Sequence, residues 1–198
     1  MKEYKVIQTS NVNWSGIEKA ELSQCVWSPN VSPRVTAQAM ILEDKALLFR
    51  LESFEKPSRS VNTEPDSPVC QDSCLECFFS FDGKYYINFE CNSNGALYAA
   101  FRSGRHERRF LRSMDGLPMP RAEVNVGEEG WEVVFTVPFE TIKTLWGEDA
   151  MSKGEFYANF YSCGDLTPLP HYSAWNDVET ETPDFHRPEY FGRLVIEG

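Results

Sequence analysis

The sequence is short of basic charge, of histidine and of long apolar runs, and each shortage removes a class of function. Nineteen Lys and Arg stand against thirty Asp and Glu, a formal net charge of −11. Nucleic acid and anionic membrane surfaces both demand a basic footprint, so neither is expected as a partner. The only basic cluster, Arg102, Arg105, Arg108 and Arg109, is short and is expected on a solvated loop or strand edge. No stretch approaches the ~20 apolar residues of a membrane helix. Behind the charged Met1-Lys2-Glu3-Tyr4-Lys5 lies no apolar segment of the kind that marks a secretory signal. Either a cytoplasmic location or a signal already removed is the expectation, and the initiating Met1 favours the first.

The three histidines are His106, His171 and His186. The first two fall in loops and the third in a closing motif, so a Met/His haem pair is not expected. Of the six cysteines, three follow the pattern Cys70-x-x-x-Cys74-x-x-Cys77, which has the spacing of an iron–sulfur cluster motif. Cys74 and Cys77 fall on opposite faces of a strand, however, and no nearby His or fourth Cys completes a zinc set. Neither metal group is expected. Reduced, mostly buried thiols are the default for a cytoplasmic chain, with Cys77 and Cys91 pointing inward.

What is present reads as strands. Aromatic residues make up 14% of the 198 residues, and Gly and Pro number 12 each. That mix favours strands and turns over a helical bundle. A single domain of this length, 1–198, buries roughly 70% of its unfolded surface and needs no staple. Val35, Ala37, Ala39 and Ile41 alternate with polar residues, as do Leu47, Phe49 and Leu51, with Glu43-Asp44-Lys45 as the turn between them. Leu75–Phe81 and Tyr85–Asn92 form a second hairpin across Asp82-Gly83-Lys84. Ala122–Val126 and Trp131–Val137 form a third. Phe139, Ile142, Leu145 and Trp146 share one face of a short helix between Pro138 and Gly147. Glu155–Cys163 and Arg193–Ile196 close the set. The expected architecture is all-β, an antiparallel two-sheet sandwich of the jelly-roll or immunoglobulin-like kind with one short helix.

Placing the apolar sets inward leaves an outward set of Glu76, Phe78, Tyr86, Asn88, Glu90, Asn92, Tyr157, Asn159 and Tyr161. No Lys stands on this face in these strands. Carboxylates, carboxamides and guanidinium groups bond paired hydroxyls in bidentate fashion, and aromatic rings cover the C–H face of a sugar. One reading is therefore a sugar-binding face. The other is a set of polar groups that satisfy each other under a covering loop. Trp175, in the loop Ala174-Trp175-Asn176-Asp177, is expected as the stacking platform, with Asn176 beside it. Trp14 and Trp27 are read as packing residues.

The run Asp72-Ser73-Cys74-Leu75-Glu76-Cys77-Phe78-Phe79, then Tyr86-Ile87-Asn88-Phe89-Glu90-Cys91-Asn92 with Gly95, resembles the family 9 carbohydrate-binding modules. So does the closing Phe185-His186-Arg187-Pro188-Glu189-Tyr190-Phe191-Gly192-Arg193-Leu194. The likeness is to the stand-alone family 9-like branch of the DOMON-like β-sandwiches of bacteria. It implies non-catalytic binding of a mono- or oligosaccharide or a glycan end, with no catalytic residue and no cofactor. By position it makes Glu76 the strand carboxylate, Arg102 the partner Arg and Trp175 the late-loop Trp, but it finds no match for a first clamp Trp, because Glu55–Ser73 holds no aromatic residue. Members of the family can carry structural calcium, yet no compact Asp-rich loop marks such a site here. The expected ligand-binding set is Glu76, Asn88, Glu90, Arg102, Tyr161, Trp175 and Asn176. The alternative is a glycoside hydrolase using Glu76 and Glu90, which share a face. That reaction needs two carboxyl groups roughly 5–5.5 Å or 6.5–9.5 Å apart.

Overall fold

The computed structural model describes residues 1–197. Among them lie fourteen strands and one α-helix. The strands are β1 (Glu3–Thr9), β2 (Ala20–Glu21), β3 (Ser23–Gln24), β4 (Val35–Leu42), β5 (Ala46–Ser53), β6 (Cys74–Ser80) and β7 (Tyr86–Asn92). They continue as β8 (Leu97–Arg102), β9 (Arg108–Phe110), β10 (Arg121–Val126), β11 (Trp131–Pro138), β12 (Glu155–Cys163), β13 (Tyr172–Ala174) and β14 (Gly192–Glu197). The helix α1 spans Phe139–Trp146, and no helix is long and apolar enough to cross a membrane.

The local elements follow from their residues. In the β6–β7 hairpin, Ser80 Oγ accepts from the Gly83 amide at 2.9 Å, and Asp82 Oδ1 accepts from the Lys84 and Tyr85 amides at 2.8 Å each. The short polar side chains thus satisfy the turn's backbone donors. Helix α1 begins directly after Pro138 and stops at Gly147, whose φ of 95° suits a residue without a Cβ.

The strands hydrogen-bond along one path, β10-β11-β5-β4-β1-β14-β12-β6-β7-β8-β9. Strand β1 joins the two halves and pairs in parallel with both β14 and β4. This corrects the expected pair of strictly antiparallel sheets: the protein is one curled, mixed sheet whose halves face each other as a sandwich. Period-2 alternation shows which side chains share a face, and it carries no information about strand direction.

The halves meet through aromatic side chains. Phe49 of β5 lies 5.2 Å from Phe79 of β6 and 5.9 Å from Phe160 of β12, and Phe89 of β7 stacks on Phe135 of β11 at 5.2 Å. Each such ring contributes about 1.5–3 kcal/mol by leaving water. Trp146 of α1 closes one end against Phe81 and Phe101, each at 5.3 Å. Cys77 and Cys91 lie in this core.

The opposite face of β6, β7 and β12 is also covered. Phe78, Tyr86, Asn88 and Tyr161 are fully buried. A second apolar cluster lies over them, with Val178, Phe185 and Phe191 packed there by the long segment that follows β12. Of the two readings of this face, the covering loop holds for most of it, and only part reaches a cleft.

Candidate functional site

The cleft opens where the roof is incomplete, above β6, β7 and β8, and measures about 440 Å³. Its floor is a cross-strand row fixed by register. Tyr161 of β12 lies opposite Glu76 of β6, Glu76 opposite Glu90 of β7, and Glu90 opposite Tyr98 of β8. Glu76, Glu90, Tyr98 and Arg102 line the cleft. Because side chains on one face of paired strands stand about 4.5–5.5 Å apart at Cβ, the two carboxyl groups are neighbours by construction.

Asn88 organises this floor from below. Its Nδ2 donates to Glu90 Oε1 at 2.7 Å, and its Oδ1 accepts from Arg102 Nε at 2.6 Å. Arg102 also donates to the Tyr98 hydroxyl at 2.7 Å and to the Arg105 carbonyl at 2.6 Å. Three of its five N–H groups are therefore spoken for, and two remain. All three acceptors are neutral, so the buried guanidinium keeps its charge for the cleft.

The carboxyl pair is electrostatically unequal. Burial pushes the Glu76 carboxyl well above its ordinary range, and the neighbouring Glu90 adds to the effect. The Cys163 thiol donates to Glu76 Oε1 at 3.0 Å. Burial also raises Glu90, to about 7, against the opposing pull of Arg102 and the Asn88 hydrogen bond. Glu76 is thus biased toward its neutral acid form, and Glu90 titrates near neutral pH. One can donate and accept, while the other accepts as an anion.

The two ends of the cleft are aromatic. At the β12–β13 end, Trp27 packs against Tyr172 with ring centroids 5.0 Å apart and against Phe185 at 5.5 Å. The indole Nε1 of Trp27 has no hydrogen-bond partner among the described residues. At the β8 end stands Tyr98, its ring under the Arg102 guanidinium at 5.5 Å. His186 lines the roof side, where its Nδ1 meets the Tyr86 hydroxyl at 3.1 Å and its ring stacks on Phe78 at 5.1 Å. Burial and the nearby arginines push its pKa down to about 3, so it is neutral. At the rim, Arg105 reaches Asp184 at 3.2 Å.

The segment between β5 and β6 is tied down by Asp72. That buried carboxylate accepts from Arg59 at 2.5 Å, from the Asn62 amide at 2.9 Å and from Asn92 Nδ2 at 2.8 Å. Burial alone would raise its pKa, but these hydrogen bonds hold it below the usual range. The clamp sets Pro68 and Cys70 on the cleft wall.

Of the residues picked from the sequence, Glu76, Glu90 and Arg102 come together on the cleft, and Asn88 orients two of them. Tyr161 lies beneath it. Its ring stacks on Phe185 at 4.2 Å and its hydroxyl donates to the Phe185 carbonyl at 3.3 Å, so it supports a wall rather than facing a ligand. Trp175 and Asn176 are placed elsewhere. Trp175 is 5% exposed and packs in the main core, 6.2 Å from Tyr4 and 5.6 Å from Phe160. Asn176 exchanges hydrogen bonds with Asn159 and binds the Lys2 amide at 2.7 Å and the Tyr190 carbonyl at 2.7 Å. It joins chain segments that strand pairing leaves apart. Trp27, read as packing, is the tryptophan that borders the cleft. Its loop carries no periodic signal that distinguishes the two roles.

Among the described residues, the one group of three or more His, Cys, Asp or Glu donors close enough to share an ion is Cys74, Glu76 and Cys163. Two of its three donors are thiols, which are not calcium ligands.

The cleft thus sets carboxyl, guanidinium and phenol groups between aromatic ends on a curled β-sandwich. The chain belongs to carbohydrate-binding family 9, whose family model matches residues 2–196. Domains of this family bind carbohydrate without catalysing a reaction, and so this chain is a non-catalytic carbohydrate-binding protein. Among solved structures, it is similar to a candidate carbohydrate-binding protein from Bacteroides uniformis, with 25% identity, a TM-score of 0.79 and 99% of each chain covered. It also shares its fold with a family 9 module from Caldicellulosiruptor kristjanssonii. That module was solved with cellotriose (15% identity, TM-score 0.67, covering 100% of this chain and 94% of that one) and with glucose (14%, 0.67, 100% and 96%). No curated protein matches the chain.

Proposed function

We propose that this protein holds the end of a short glycan in the cleft above β6, β7 and β8. The observation that carries the reading is the cross-strand pair Glu76 and Glu90, set beside Arg102 on a floor with aromatic rings at both ends. Glu90 accepts from adjacent hydroxyls, Glu76 donates or accepts, and the two free N–H groups of Arg102 donate. Trp27 at one end and Tyr98 at the other cover apolar C–H surface. Asn88 and Tyr161 position these groups without touching sugar, and Trp175 and Asn176 have no part in binding. The pair serves as hydroxyl partners rather than as acid and nucleophile, in keeping with the family.

Two aromatic contacts contribute roughly 0.5–1.5 kcal/mol each, and each charged hydrogen bond about 1.5–3 kcal/mol. Set against the cost of immobilising a sugar, these sums correspond to dissociation constants of roughly micromolar to millimolar. The test is calorimetric titration with glucose, cellotriose and a wider oligosaccharide panel. Glu90→Gln keeps the shape but loses the anionic acceptor, and is expected to weaken the best ligand about tenfold or more. Unchanged affinity in a folded Glu90→Gln variant would remove the floor from the binding site.

A further inference from the structure

The geometry points to a thiolate metal site at the base of the cleft, in which Cys74, Cys163 and Glu76 bind a soft divalent cation of the zinc class. Cys74 and Cys163 are direct cross-strand partners on β6 and β12, and Glu76 follows two residues after Cys74 on the same face of β6. One ligand atom from each residue lies within 4.8 Å of the other two. All three side chains are at least 97% buried. The donors therefore sit on paired strands, whose register holds them together before any ion arrives.

The donor chemistry selects the cation. Two sulfurs and one carboxylate suit zinc and its congeners, and disfavour calcium and magnesium, which take oxygen. Zinc–sulfur bonds of about 2.3 Å in a tetrahedron put two sulfurs about 3.8 Å apart. The two sulfurs, no more than 4.8 Å apart, need to close by about 1 Å at most. Loading releases a proton from each thiol, and from Glu76 wherever that carboxyl carries one, and leaves two thiolates and a carboxylate around the dication, a net charge of −1. The buried Arg102 charge lies on the same floor to offset it.

Glu76 and Cys163 line the cleft, whereas Cys74 stands behind them. The fourth tetrahedral position therefore faces the cleft, where Cys70 stands on the wall. The sequence concealed this arrangement. Cys70, Cys74 and Cys77 suggest a set by spacing, but Cys77 points into the core, and the missing partner is Cys163, brought in by strand register.

The site shares Glu76 with the proposed sugar floor but rests on strand register alone, and it is tested without sugar on the reduced, chelator-stripped protein with cobalt(II) as the probe. Wild type should develop thiolate-to-cobalt charge-transfer absorption in the near ultraviolet that saturates at one equivalent and is abolished by added zinc. Cys74→Ser and Cys163→Ser should lose most of that absorption, while Cys25→Ala, outside the cluster, should keep it. If the serine variants do not fold, the wild type still decides the matter. In urea below the unfolding midpoint, where local opening exposes buried thiols, zinc should slow labelling of Cys74 and Cys163 by a thiol reagent, as mapped by mass spectrometry, and leave Cys25 as reactive as before. Absence of the absorption in wild type, its survival in folded Cys74→Ser or Cys163→Ser, or protection confined to other cysteines would each overturn the proposal.

Discussion

Replacing Trp175 with alanine should damage the fold and spare the cleft. The indole is 5% exposed and lies against Tyr4 of β1 and Phe160 of β12, in the core beside β14, which separates those two strands. Its six-membered ring also fills the space beside Gly192. A Cβ built on Gly192 would fall 2.3 Å from Trp175 Cζ3 and 2.6 Å from Cη2. The backbone around it is equally committed, since the Trp175 amide donates to the Phe160 carbonyl at 2.9 Å. Removing a buried Trp side chain costs about 3–5 kcal/mol, the upper end applying where neighbours cannot collapse into the space. The neighbours here sit on hydrogen-bonded strands, so little collapse is available. For a chain of this length, each kcal/mol moves the melting temperature by roughly 2–4 °C, which gives a fall on the order of 10 °C. Urea denaturation, with the slope checked against wild type, measures the free energy directly. A loss below about 1 kcal/mol together with abolished sugar binding would refute the reasoning and restore Trp175 as a ligand platform.

Gly192→Ala should be destabilising by about 1–3 kcal/mol through overpacking against the same indole, and Trp175→Phe should relieve part of that cost in the double variant; additive losses in urea denaturation would contradict the contact. Acid–base linkage gives a second test, measured as the stability difference between wild type and Glu90→Gln in chelator. The folded pKa of Glu90, about 7, lies above its ordinary 4.5, so its stabilisation is complete below about 4.5 and lost as pH rises through about 7. The wild-type advantage should shrink between pH 5 and 8, by up to about 3 kcal/mol. His186, held near 3 by burial, acts in the opposite sense over this range, which is why the difference and not the raw slope is the readout. A difference that does not change with pH would mean Glu90 is solvated.

Much of the fold is legible in the residues because the period-2 signal is strong wherever one face is buried. The β4–β5, β6–β7 and β10–β11 hairpins and helix α1 all fall where alternation, turn residues and the Pro138–Gly147 bracket put them. Strand β1 is not legible in the same way. Its short pattern, with Tyr4 and Val6 inward, gives no hint that its partners are β14 and β4, or that both pairings are parallel. The site divides similarly. Glu76, Asn88, Glu90 and Arg102 fall on strands, where alternation assigns a face and hairpin register assigns a neighbour. Trp27 and Trp175 fall in irregular segments, where burial depends on how a loop folds back and no local pattern records it. Cys163 joins Cys74 only through the β6–β12 register, which is a long-range fact. The covering of Tyr161 by Phe185 and of Phe78 by His186 is of the same kind.

The central claim is that sugar binds against Trp27, Glu76, Glu90 and Arg102, and the contrast between two tryptophans tests it most directly. Wild type, Trp27→Ala and Trp175→Phe are titrated calorimetrically with the tightest ligand of the oligosaccharide panel, with folding verified by thermal denaturation. The expected result is a loss of tenfold or more in affinity for Trp27→Ala and wild-type affinity for Trp175→Phe. Wild-type affinity in a folded Trp27→Ala, with binding lost in a folded Trp175→Phe, would place the site elsewhere on the molecule.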